Sequence, residues 1–99
     1  MLASIAVITT PRPERYIKQL VSHLGHRATT SLEADGTGTV VLQRGQCTMS
    51  PQDGQLRLSA TAADEESLAA VQDVIGRHLI RFATAEELRV TWNAAGAAG

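Results

Sequence analysis

The spacing of apolar residues along this 99-residue chain changes period four times, and that sequence of changes leaves few folds open. Ile5 and Val7 alternate with Ser4 and Ala6 over Leu2 to Thr10, which is the two-residue period of a strand. Pro11-Arg12-Pro13-Glu14 then switches the period. Thr10 is read as a cap, and prolines suit a first helical turn. Tyr16, Ile17, Leu20, Val21 and Leu24 follow on one helical face, and Gly25 stands where a left-handed terminal glycine belongs.

After Gly25 the period returns to two. Four strands are expected, over Ala28 to Ala34, Thr37 to Gln43, Gln46 to Ser50 and Gln55 to Thr61. Asp35-Gly36 reads as a two-residue hairpin turn, Arg44-Gly45 as the next, and Pro51-Gln52-Asp53-Gly54 as the third. Leu56, Leu58 and Ala60 face one way, Arg57 and Ser59 the other. Asp64 is a good N-cap, followed by Glu65 and Glu66 where the helix dipole favours acid. Leu68, Val71, Val74, Ile75, Leu79 and Phe82 form the second apolar stripe. Thr84 to Glu87 turns the chain, and Leu88, Val90 and Trp92 alternate as a last strand. The order is β-α-β-β-β-β-α-β. An antiparallel sheet with both helices on one face satisfies the one-sided apolar patterns, giving an α+β domain. This order resembles the helix-grip and TATA-binding-protein-like folds, a likeness of fold that carries no function. Residues 1–93 are expected to form a single domain, and 94–99, in the Ala/Gly-rich end, a flexible tail.

Composition narrows the function. Hydrophobic residues are 43% of the chain and charged ones 19%, which fits a folded domain; aromatics are only 3%, so the core must be aliphatic. The formal net charge of -1 and the lack of a Lys/Arg run argue against nucleic acid as a partner, because phosphate neutralisation supplies most of that affinity. No apolar run reaches membrane-span length, and the N-terminus lacks the layout of a signal peptide. The lone cysteine, Cys47, allows no internal disulfide. A cytoplasmic protein without membrane contact is expected.

Few residues invite chemistry. His23 and His26 flank Gly25 in SHLGHRA, and His78 falls within the second helix's apolar stripe. Cys47 points to the apolar side of its strand with Met49. Imidazole nitrogens and a thiolate suit zinc or iron, so His23, His26, Cys47 and His78 form the candidate binding set. Each also has a plain structural reading. A histidine in a helix's last turn complements free carbonyls, a core histidine needs one hydrogen bond, and a buried cysteine is a small hydrophobe. HxxH across a helix stop does not define a ligand pair, so no metal site and no catalytic residue is assigned. Gly36-Thr37-Gly38 has no helix after it and is not a phosphate loop. Arg12, Arg15 and Lys18 read as a solvated face.

The segments RPERYIKQLVSHLGHR (Arg12 to Arg27), LAAVQDVIGRHLIRF (Leu68 to Phe82) and the terminal ELRVTW resemble an uncharacterised bacterial family, domain of unknown function 2218. His23, His26, Cys47, Asp73, Arg77, His78 and Arg81 fall on its pattern. Thr29-Thr30-Ser31 is more polar than that pattern, and the turn after Phe82 (ATAEE) lacks its basic residue. The resemblance implies no established activity. It implies an association with siderophore-interacting flavoproteins, hence a non-enzymatic binding or accessory protein loosely linked to iron. A small enzyme using His78 and a protein-interaction or dimerisation module pairing through a sheet edge are the alternatives. The expected partners are a small ligand or siderophore-related protein, and a second copy; no cofactor is named.

Overall fold

The computed structural model describes residues 1–83 and 88–95. Its elements are β1 (Leu2–Thr9), α1 (Pro13–Leu24), β2 (Thr29–Leu32), β3 (Gly38–Leu42), β4 (Gly45–Gln52), β5 (Gln55–Ala62), α2 (Glu65–Phe82) and β6 (Asn93–Ala95). The order of strands and helices is the one expected. They form one antiparallel sheet in the order β2-β3-β4-β5-β1-β6, so an α+β architecture is established.

Both helices pack on the same face of this sheet. The strand registers place Val40, Cys47, Ala60 and Ser4 side by side in one row, and Gly38, Met49, Leu58 and Ala6 in the next. These rows meet Ile17 and Leu20 of α1 and Val71, Ile75 and Leu79 of α2 in one aliphatic core. Only one aromatic, Tyr16, is fully part of it; Phe82 and Trp92 pack at its margin. The opposite face of the sheet leaves Val7 and Val41 exposed. Ser4 would be a buried polar group without a partner, but the Gln72 side-chain amide of α2 donates to its hydroxyl at 2.6 Å, which ties the second helix to β1.

Several local expectations are corrected. Arg12, not Thr10, is the N-cap of α1; the Thr10 hydroxyl instead accepts the Arg12 N–H at 3.1 Å. Asp35-Gly36 is not a two-residue hairpin. It forms the tip of a five-residue loop closed by Glu33 N–H to Thr37 O at 2.7 Å, because Leu32 pairs with Gly38. The tight Asp-Gly turn is Asp53-Gly54, with Gln52 opposite Gln55, and β4 runs on through Pro51 to reach it. Gly36 and Gly54 carry the positive φ values that such tips demand.

The last strand is also displaced. Leu88, Val90 and Trp92 lie half-buried against the core without joining the sheet; the ladder is formed by Asn93, Ala94 and Ala95 beside Ile5, Ser4 and Ala3. Alternation reported which residues of 88–92 face the core, whereas the ladder beside β1 is formed by Asn93–Ala95. Ala94 and Ala95, expected in the tail from the sequence, pair with Ser4 and Ala3; Thr84 to Glu87 and residues 96–99 lie outside the described residues.

Candidate functional site

The helix ends decide where the chemistry lies. Leu24 closes α1, and its carbonyl accepts both the Arg27 and the Ala28 N–H, at 3.0 and 2.8 Å. The chain therefore leaves the helix in a tight turn that carries His26 and Arg27. Gly25 sits in this turn in the right-handed region (φ -61°), not the left-handed one expected. A helix-like turn needs no positive φ; what favours glycine is space, since a Cβ there would stand 3.0 Å from the Val21 carbonyl oxygen and 3.1 Å from Thr30 Oγ1.

His23, in the last turn of α1, reaches α2. Its ring lies 5.1 Å from that of His78, centroid to centroid, and 5.3 Å from Phe82 in an edge-on contact. Phe82 ends α2, so the carboxyl ends of the two helices meet at this corner of the molecule. His78 is half-buried on the flank of α2 that faces α1, beside rather than inside the fully buried line of Val71, Ile75 and Leu79. Its Nδ1 stands 2.6 Å from the Val74 carbonyl oxygen. A carbonyl only accepts, so Nδ1 carries the proton, and in the neutral ring Nε2 keeps a free lone pair.

A groove of about 590 Å³ opens between these ends, lined by His23, Leu24, His26, Arg27, Ala28, Leu42, Val74, Arg77, His78 and Arg81. A second, more open hollow of about 440 Å³ adjoins it, walled by Arg27, Arg77, His78 and Arg81. The structure thus gathers three of the four candidate residues, His23, His26 and His78, and does not bring Cys47 with them. Cys47 is wholly enclosed between sheet and helices, where burial pushes its thiol up to about 12, so it offers no thiolate to a metal or a substrate. Among the described residues no three His, Cys, Asp or Glu side chains are grouped as a metal site requires. No described helix is long and apolar enough to cross a membrane.

The residues missing from the sequence-derived set are the arginines. Arg77 is paired with Asp73 one turn earlier, Nε to Oδ2 at 3.0 Å. Arg27 and Arg81 have no carboxylate within ion-pair distance among the described residues. Three positive charges therefore face the groove and Asp73 offsets one. The two helix ends present about half a negative charge each. Among the described residues that balance leaves about one positive charge unmatched. Val74, Arg77, His78 and Arg81 occupy positions i, i+3, i+4 and i+7, a stripe visible in the sequence once α2 is phased. Arg27 carries no comparable signal, because only the turn after Leu24 brings it across to α2.

Comparison with known proteins agrees with this fold. The NMR structure of PA4090 from Pseudomonas aeruginosa superposes with a TM-score of 0.78 at 28% identity, over 94% of this chain and 96% of that one. No curated protein matches the chain. Residues 5–93, nearly everything from β1 into β6 and including every groove residue, match the model of one family. The chain therefore belongs to the family described as an uncharacterized protein conserved in bacteria, DUF2218.

Proposed function

We propose that this protein is a small, non-enzymatic binding domain of the bacterial cytoplasm whose ligand is an anion held in the groove between the helix ends. The observation that carries this reading is the convergence of Arg27, Arg77 and Arg81 around His78 where, among the described residues, Asp73 is the one carboxylate paired with any of them. Guanidinium groups present forked donors that suit carboxylate and phosphate oxygens, and a concave, partly apolar setting strengthens such bonds over those at an open surface. An iron(III) chelate with net negative charge belongs to this ligand class, which keeps the siderophore association inside the proposal. Catalysis is the less favoured reading: among the described residues neither a thiol nor a carboxylate lines the groove beside His78.

The test is titration of the ¹⁵N-labelled protein with inorganic phosphate and with citrate at low salt. Amide shifts confined to Arg27, Ala28, Arg77, His78 and Arg81 are expected, weakening as salt rises. An Arg27→Gln/Arg81→Gln variant that keeps a folded spectrum should lose them. Shifts spread evenly over the surface, or retained by the variant, would remove the reading.

A further inference from the structure

We propose, building on the anion-binding reading, that the ligand is an amphipathic acid: a small carboxylate or phosphate monoester carrying a planar apolar body. The groove is divided by chemistry. Among the described residues its open part is walled only by basic side chains, Arg27, Arg77, His78 and Arg81. Its more enclosed part adds Leu24, Ala28, Leu42 and Val74. Leu24 belongs to the core itself, and Ala28, Leu42 and Val74 pack against it half-buried. The floor is therefore an uncovered margin of the core, lying directly beneath a cationic rim.

A bare inorganic anion would use the rim and leave this floor wet. The volume of about 590 Å³ is also far more than such an ion fills, and sits within the roughly 300–1,000 Å³ typical of organic ligand sites. An apolar body covering Leu42, Ala28 and Val74 gains from leaving water, while its acidic group reaches the guanidinium groups above. Planarity is favoured because the adjoining wall is made of rings. His23 is the exposed member of a cluster with His78 and Phe82, so its face can stack, and arginine planes at the rim stack in the same way. The rim selects the charge, the floor and wall select the body, and neither alone selects both.

The probes are 2-naphthoate, its uncharged amide 2-naphthamide, acetate and inorganic phosphate, each followed by amide shifts and by calorimetry on the whole chain. Naphthoate is expected to bind at least about tenfold more tightly than either acetate or naphthamide. It should shift the amides of Leu24, Ala28, Leu42 and Val74 as well as those of the arginines. A Leu42→Gln variant should weaken naphthoate and leave phosphate unchanged; Arg81→Gln should weaken both. If phosphate shifts the arginine amides but naphthoate binds no better than acetate, the amphipathic ligand is overturned and the simple anion site stands. If none of the anions binds at the groove, the anion-binding reading falls first and takes this one with it. Should Leu42→Gln lose the dispersed spectrum of a folded protein, Ala28→Ser supplies the same comparison at the floor.

Discussion

At the scale of single residues, placement outweighs residue type. Three histidines share one side-chain chemistry, yet His78 is held by the Val74 carbonyl while His23 and His26 stay exposed. Cys47 has the same ligand chemistry on paper and none in place, since enclosure holds it as a neutral thiol. Gly45 shows the reverse, a plain turn glycine that proves to be a packing residue: a Cβ there would collide with the Thr61 carbonyl and lie 2.8 Å from Val71 Cγ2, so α2 approaches the start of β4 only because no side chain intervenes. Asp64 performs as its position promised, its carboxylate accepting the Ser67 N–H at 2.7 Å. That hydrogen bond holds the carboxyl below the ordinary 3.8. A depressed folded-state value stabilises the protein above pH 3.8 and loses that contribution as pH falls through the lowered value. The wild-type melting temperature is thus expected to exceed that of Asp64→Ala near neutrality, with the gap closing in acid. A gap independent of pH would show that the cap works without its charge.

At the scale of elements, both helices are held by an apolar face. On α1, Tyr16, Ile17, Leu20 and Leu24 are buried. On α2, the Ser4–Gln72 hydrogen bond adds a polar tie to β1. Leu20 is fully enclosed whereas Ile80 is 52% exposed, although both are large aliphatic residues on helices. Leu20→Ala should therefore cost about 2–5 kcal/mol in denaturant unfolding. Ile80→Ala should change stability by no more than about 0.5 kcal/mol. Equal losses would mean that Ile80 is covered by something in solution. The meeting of both carboxyl ends is the feature of the elements that makes the groove: each end draws basic side chains to itself, and two ends together draw more than they neutralise.

At the scale of the whole molecule, a ligand that binds only the folded chain must raise its stability. At a free concentration one hundred times its dissociation constant, an anion in the groove adds about 2.7 kcal/mol. For a domain of this size that is a rise of the melting temperature by roughly 10–20 °C. Differential scanning calorimetry in graded phosphate should show such a rise in the wild type and its absence in Arg27→Gln/Arg81→Gln. An equal rise in both would identify a general salt effect.

Local patterning determined which stretches became strands and helices here, because alternation at β5 and the stripes of Ile17–Leu20 and Val71–Leu79 are properties of neighbouring residues and need no partner to be read. It also determined the single-sided sheet. Elements whose positions depend on a distant partner were not legible in the same way. The final strand went to Asn93–Ala95, not to the better-patterned Leu88–Trp92, because hydrogen-bonded pairing depends on what lies beside β1. The candidate site divided along the same line. Its histidines could be picked out by type, and the stripe on α2 by phase, but the groove exists only where the Leu24 turn sets Arg27 against Arg77 and Arg81. A charge has no visible meaning along a chain whose total is -1. It acquires one when folding brings like charges from separate segments together and leaves them unmatched, since electrostatic energy depends on distance in space and not on separation in sequence.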